Sequence, residues 1–441
     1  MIMLIQDLRH AVRLMAKDRW STLAAIAILA LGVGATTIVF SLANGLLLRP
    51  LPYSQTDRIV AVEEVATRSS LSFSEVAYPN YEDMRARTRL FQDMALYGEG
   101  AANILGEGEA ERVPVSGTTD GLFDVLGVHP LMGRTYTRDE DRPKGPAVVV
   151  LGEDLWRRRY GSDPNIIGRV LNIGGKPTRV IGVMPASFRF PQVAEMWMPL
   201  QLNRELAPRT DHYLLCVALL KPGITVEQAT AELQSMMRQI NRENPTTDYG
   251  NSAKAIGLRE SLAADYRLEV ITLLGAVGFL LLIACANITN LLLVKASVRK
   301  REMAVRTALG ASRPRLIRQL GTESILLGVT GGLCGLGLAY AGLPAMLRML
   351  PANLPRWMKF TVDGRVLAFA LGLSLLTSVL SGIVPALLCS RVDLSGALKE
   401  GSRGATTGKS RQAMRSALVV VEVALSLTLL TGAGLMVRSF L

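Results

Sequence analysis

The chain is poor in the residues that build most catalytic and metal sites. Its 441 residues include three histidines, His10, His129 and His212, far apart in sequence. A His-centred metal or acid–base site has little material to draw on. The four cysteines are Cys216, Cys285, Cys334 and Cys389, and no two form a C-x-x-C pair. Three of them lie in or beside apolar runs, so neither a disulfide framework nor a zinc site is expected. G-x-S-x-G and H-E-x-x-H are missing, and with them the local signatures of α/β-hydrolases and zinc proteases. GATTGKS, Gly404 to Ser410, imitates a phosphate loop but has three residues between its glycines where the motif needs four. It follows an apolar run rather than a buried strand, so backbone N–H groups are not set to converge on phosphates. Any ATPase the protein works with is expected on a separate subunit, with no cofactor bound by this chain.

What the sequence has in excess is apolar length and positive charge. Five stretches, residues 22–47, 270–294, 324–347, 366–388 and 417–437, are nearly free of charge. Each meets the roughly 20 apolar residues needed to cross a hydrocarbon core about 30 Å thick. The first is too long for a signal-peptide core and lacks an A-x-A cleavage pattern, so a retained span is expected. Residues 1–21 before it place Ile5, Leu8, Val12 and Met15 near one helical face and Arg9, Arg13 and Lys17 toward the other. That suits an amphipathic helix on an anionic inner leaflet, with the bilayer as its partner.

The formal net charge is +12. Residues 1–19, 295–320 and 389–416 together hold eighteen Lys/Arg against five Asp/Glu. The long insert, residues 48–268, holds 26 basic and 28 acidic residues and is close to neutral. The positive excess thus sits in three short segments that alternation of the spans puts on one side. This positive-inside pattern predicts a plasma-membrane (inner-membrane) protein with a cytoplasmic N-terminus and residues 48–268 outside. The 348–365 loop departs from it, carrying Arg348, Arg356, Lys359 and Arg365. Nucleic acid is not an expected partner, because the soluble part is neutral.

The insert reads as a mixed α/β domain. RIVAVEEV, GPAVVVLG, RVLNIGG, PTRVIGVMP and HYLLCVALLKPG are strand-like and punctuated by Gly and Pro. YPNYEDMRARTRLFQDMALY and TVEQATAELQSMMRQINRE read as helical, the second with Thr225 and Gln228 at capping-box spacing. LGEDLWRRRYGSDP is expected to be a helix ending at Gly161, with Trp156 and Tyr160 inward. Asp139, Glu140 and Asp141 lack the alternating ligands and glycine turn of a calcium loop, so a solvated loop is expected.

Between the second and third long runs lies VRKREMAVRTALGASRPRLIRQLGTES, with seven Lys/Arg. Residues 295–310 form a helix candidate, with Glu302 and Arg306 in the favourable i, i+4 order. Met303, Ala304, Ala308 and Leu309 make a small apolar surface. Gly310 is a natural stop, and Ser312 with Pro314 opens the next helix. A purely topogenic loop needs charge alone. A helix with a small-residue face and a sharp break suits docking into a groove of a cytoplasmic partner. In the third run, Gly328/Gly332 and Gly331/Gly335 have small-xxx-small spacing, which predicts close helix packing. Glu422 in the fifth run is costly in lipid, and either faces the bundle or sits shallow near the basic linker.

REMAVRTALGASRPRLIRQLGTES resembles the cytoplasmic coupling region of MacB/FtsX-type ABC-transporter permeases. FDVLGVHPLMGRTYTRDED, VVVLGEDLWRRRYGSDPNIIGRVLNIGGKPTRVIGVMPASFRFP and LLKPGITVEQATAEL resemble the MacB-like periplasmic core domain. DLRHAVRLMAKDRWSTLAAIAILALGVGATTIVFSLANGLLLRPLPY resembles the start of the duplicated orphan permeases of acidobacteria. The resemblance covers essentially the whole chain. It implies four spans with the core domain between the first two, and a cytoplasmic ABC ATPase subunit docking on residues 295–320. The implied coupling residues are Arg301, Glu302, Val305, Arg306, Ala308, Leu309, Gly310, Ala311 and Ser312. It further implies a mechanical cycle in which ATP-driven closure inside moves the outer domain, and a second permease half or homodimer partner. The fifth run, after the 389–416 linker, would open that second half. The implied activity is export or extraction of an amphipathic or peptide-like substrate. The alternative is regulation of an extracytoplasmic protein such as a cell-wall hydrolase. An enzyme on a membrane anchor would have no use for an inner docking helix.

Overall fold

The computed structural model describes residues 2–66, 74–106, 108–188, 190–191, 193–247, 250–298, 313–349, 361–390 and 407–440. The chain divides into a helical unit and an inserted unit.

The helical unit opens with α1 (Ile2–Lys17) and α2 (Arg19–Ala43), which a π-helical turn, Asn44–Leu48, extends. It continues after the insert with α7 (Leu258–Val298), whose first turns belong to the insert. Then come α8 (Arg313–Met349), α9 (Gly364–Ser390) and α10 (Thr407–Phe440). Five segments are long and apolar enough to cross a membrane: Arg19–Leu48, Tyr266–Lys295, Gly321–Arg348, Gly364–Gly382 and Ser416–Leu435. The protein is a membrane protein, with five such helices among the described residues.

The inserted unit is built on one ten-stranded sheet. Its strands are β1 (Ile59–Ala66), β2 (Phe91–Leu105), β3 (Glu111–Thr118), β4 (Met132–Gly133), β5 (Val148–Gly152), β6 (Val170–Ile173), β7 (Lys176–Met184), β8 (Met196–Pro199), β9 (Leu215–Leu220) and β10 (Asn251–Gly257). The order is β10-β1-β9-β2-β3-β8-β5-β7-β4, with β6 pairing β2 and β7. The β3–β8 and β5–β7 pairs are parallel, and the rest are antiparallel. Its helices are α3 (Tyr78–Arg87), α4 (Leu122–Leu126), α5 (Glu153–Tyr160) and α6 (Val226–Glu243).

Strand periodicity of two divides the apolar residues among three cores. Ile59 and Ala61 of β1 enter one core, while Val60 and Val62 enter a second with Leu214, Cys216 and Ala218. Val148 and Val150 of β5 join the first, and Val149 and Leu151 a third. α6 covers the second core with Ala229, Leu233, Met236, Met237 and Ile240, a spacing that keeps one helical face inward. Full burial of each large side chain there contributes about 1.5–3 kcal/mol. Thr225 and Gln228 close a capping box at its start. α6 also blunts the sheet edge. Thr230 Oγ1 donates to the Ala255 carbonyl (3.3 Å) and accepts from its N–H (3.1 Å), and Asn241 Nδ2 donates to the Asn251 carbonyl. These bonds occupy β10 groups that would otherwise template another strand.

Two expectations are corrected. The helix expected from Tyr78 ends at Arg87, and Phe91 onward is β2, the long central strand. Its pairing with β9 and β3 and the burial of Met94, Ala95, Leu96 and Tyr97 override local propensity. The 139–141 carboxylates do not form a solvated loop. Only Asp139 is exposed, pairing with Arg142. Glu140 is buried against Arg134 (2.7 Å), and Asp141 accepts from the Gln201 and Asp120 N–H groups. The expected stop at Gly161 is present in the left-handed region, and Trp156 is buried in the third core with Tyr160 packed against it.

Candidate functional site

The sequence-predicted coupling residues Arg301, Glu302, Val305, Arg306, Ala308, Leu309, Gly310, Ala311 and Ser312 lie outside the described residues. Both roots of that segment are described: α7 ends at Val298 and α8 begins at Arg313. Near the first root, Lys295 Nζ meets Asp18 Oδ2 at 3.2 Å. Asp18 is the corner residue between α1 and α2.

α8 carries the four singled-out glycines on two faces. A Cβ on Gly331 would lie 2.5 Å from Leu29 Cβ, and one on Gly335 3.0 Å from the Ala30 carbonyl, both on α2. A Cβ on Gly328 would overlap Ser378 and lie 2.9 Å from the Ser374 carbonyl. One on Gly332 would overlap Ser374, again on α9. Only hydrogen in place of Cβ allows the three backbones to approach this closely.

The contacts fix direction. Leu29 faces Gly331, Gly34 faces Gly335 and Ile38 faces Gly342, so α2 and α8 run parallel. Ser324 faces Gly382 and Ser374 faces Gly332, so α8 and α9 run antiparallel. Gly32 faces Ala284 and Thr36 approaches the Val277 carbonyl, so α2 and α7 are antiparallel, and Asp18–Lys295 continues that register. Asp18, Lys295 and Arg313 therefore share one end of the helical unit. Asn44 Nδ2, bonded to Asp363 Oδ2 at 3.1 Å, marks the other end, beside the stacked rings of Phe40 and Phe369.

Four hydroxyls of α2 and α9 turn back on their own helices. Thr37, Ser41, Ser378 and Ser381 each donate to a carbonyl four residues back in their own helix. Cohesion comes from close packing. Glu422 of α10 accepts from Asn287 Nδ2 of α7 at 2.8 Å, so the carboxylate faces the bundle. Nothing local in sequence pairs Asn287 with Glu422, Asn44 with Asp363 or Asp18 with Lys295, because helix register decides each.

The inserted unit has its own polar knot. Glu64 of β1 is fully buried and accepts from the Ala77 N–H (3.0 Å), Asn80 Nδ2 (2.9 Å) and His212 Nε2 (3.1 Å). It serves as a remote cap for α3, whose own N-cap, Ala77, has no capping side chain. His212 Nδ1 faces the Thr210 carbonyl at 3.0 Å. Both ring nitrogens meet acceptors, the arrangement of an imidazolium. The hydrogen bond to Glu64 outweighs burial and raises the His212 pKa. Burial alone would raise the Asp83 carboxyl, but Arg204 and Arg209 hold it below the usual range. Asp141 is pushed up to about 6 by burial. A small acidic hollow of about 20 Å³ lies between α5 and the 185–197 region, lined by Glu153, Asp154, Glu195 and Trp197. No group of three or more metal-ligating side chains occurs among the described residues. Of GATTGKS, residues 404–406 lie outside the described residues, and 407–410 form the first turn of α10.

Two family descriptions match the chain: a MacB-like periplasmic core domain over residues 22–236, and an FtsX-like permease C-terminal region over residues 274–394. The uncharacterized ABC transporter permease YknZ of Bacillus subtilis is 27% identical over 65% of this chain and 69% of its own length. The macrolide export ATP-binding/permease protein MacB of Chromobacterium violaceum is 25% identical over 87% of this chain. The chain spans 59% of that relative. The crystal structure of the periplasmic region of MacB from Actinobacillus actinomycetemcomitans is 14% identical, with a TM-score of 0.36, covering 48% of this chain and 92% of that one. With a MacB-like core domain inserted after its first long apolar helix and an FtsX-like region after the insert, the chain is an ABC-transporter permease of the MacB/FtsX type.

Proposed function

We propose that the chain is the permease subunit of a system whose ATP hydrolysis occurs on a separate cytoplasmic ABC ATPase. The subunit relays that hydrolysis to the inserted domain for export or extraction of an amphipathic or peptide-like substrate. The observation that carries this reading is the domain order: a MacB-like core domain, then an FtsX-like region that includes the basic segment 299–312. Two further features support it. The three basic segments predict one cytoplasmic side, and Asp18, Lys295 and Arg313 lie at one end of the helical unit. The ATPase docks on Arg301, Glu302, Val305, Arg306, Ala308, Leu309, Gly310, Ala311 and Ser312, where small residues alternate with charged ones in the sequence. Residues 48–268 are extracytoplasmic in this arrangement.

A photoreactive residue at Ala308, in the chain expressed in its host membrane, tests the reading. Capture of an ABC-type ATPase is expected. In addition, Glu302→Arg with Arg306→Glu and Ala308→Trp should abolish co-purification of that ATPase while membrane insertion stays unchanged. Capture of lipid alone would overturn the assignment.

A further inference from the structure

α1 has three distinct faces. At about 100° per residue, Ala11 and Leu14 fall on one side, Leu8, Val12 and Met15 on the next, and Arg9, Arg13 and Lys17 beyond them. Ala11 is 3% exposed, and α1 packs against α8. Leu8 and Val12 remain 46% and 52% exposed, and Arg9, Arg13 and Lys17 are exposed beside them. The apolar arc is thus wider than the protein contact covers, and its uncovered part borders a row of cations. The uncovered surface continues onto α2, where Trp20 is 77% exposed beside Arg19, and Leu23 follows one turn on. An exposed Trp with flanking cations at the start of a span is the composition of a membrane–water interface.

The same helix reaches both roots of the segment 299–312. The parallel register of α2 on α8 pairs Leu29 with Gly331, so the residues before Arg19 run beside the first turns of α8. The corner residue Asp18 grips Lys295, three residues from the end of α7. We propose that α1 is a lipid-anchored brace: an anionic phospholipid surface binds its Leu8/Val12 and Arg9/Arg13/Lys17 faces, and Ala11 with the Asp18–Lys295 pair fixes both roots of the segment 299–312. Charge complementarity and continuity with the apolar surface of the first span identify the partner as a bilayer surface. That the braced segment is the ATPase-docking segment rests on the function proposed above. The brace itself does not.

Hydrogen–deuterium exchange on the full chain tests it, in nanodiscs of phosphatidylcholine alone or with about one-third phosphatidylglycerol. Anionic lipid should slow exchange of residues 2–17 by about tenfold or more, and slow both root peptides, 290–298 and 313–320. Arg9→Gln with Arg13→Gln and Lys17→Gln should remove the whole lipid response. Salt at about 1 M, where the Debye length is about 3 Å, should weaken it. Lys295→Gln should leave the response of residues 2–17 intact and abolish that of 290–298. The exchanged pair Asp18→Lys with Lys295→Asp should restore it. Equal exchange in the two lipids overturns the anchor, and an unaltered 290–298 response in Lys295→Gln overturns the brace. None of these readouts uses an ATPase, so failure of the Ala308 capture would leave the brace standing without a docking role for the segment it holds.

Discussion

At the residue scale, the Glu64–His212 contact makes the inserted domain's stability depend on pH. The hydrogen bond to Glu64 raises the folded-state pKa of His212 above 6.5. Its contribution is therefore complete below the unfolded value and fades as pH rises through the folded one. A hydrogen bond to a charged group contributes about 1.5–3 kcal/mol. His212→Gln still offers an N–H to Glu64 but cannot titrate. In fluorescence melts of the full chain, wild type should exceed this variant most below the ordinary histidine pKa of about 6.5, and the gap should close toward alkaline pH. An unchanging gap would show that His212 has the same pKa folded and unfolded, and a gap that narrows toward acid would show that the folded imidazole stays neutral. Asp141 acts in a lower window. Burial raises its carboxyl to about 6, so the folded state gains stability as pH falls from there toward the ordinary carboxylate range. Asp141→Asn should flatten that slope.

At the element scale, the α8 seam separates glycines that must be glycine from those that need not be. Gly335→Val would force a side chain against the Ala30 carbonyl and Val33, and Gly328→Val against Ser378 and Ser374. Neither obstacle is the far end of a flexible side chain alone. Each substitution should cost at least the 1–3 kcal/mol or so of ordinary overpacking. Gly337 meets nothing within 4 Å, so Gly337→Ala should be neutral or slightly stabilising through helix propensity. Thermal unfolding of the purified chain in detergent separates the three. The small-residue spacing was legible in the sequence. Which face met α2 and which met α9 was not, because that depends on helix order in space. The capping box of α6 was equally legible, being local. β2 was not: FQDMALY carries helix-compatible residues, and only its strand partners and buried register make it extended.

At the scale of the whole molecule, the alternating directions of α2, α7, α8 and α9 agree with a chain that re-crosses a membrane at each long helix. Membrane-impermeant labelling of single cysteines, in a background lacking the native four, should therefore modify Tyr213→Cys from outside the cell. It should leave Arg13→Cys unlabelled until the membrane is opened. The reverse pattern would invert the proposed topology. Tyr213 is exposed in the inserted domain, and Arg13 is exposed on α1.

The long helices, the inserted α/β domain and the separation of charge can all be read from residue order alone. Each follows from composition over a window of residues: hydrocarbon thickness sets the helix length, alternation sets the strands, and short basic loops set the expected sidedness. The pairings between residues far apart in the chain come from the packed fold. Glu64 stands 148 positions from His212, and Asn287 stands 135 from Glu422. Such polar contacts carry no period and no local propensity. They arise only when packing has removed water and left each buried donor or acceptor to find a partner. The same holds for Asp18 and Lys295, ordinary surface charges in sequence, which helix register brings together beside the root of the basic segment.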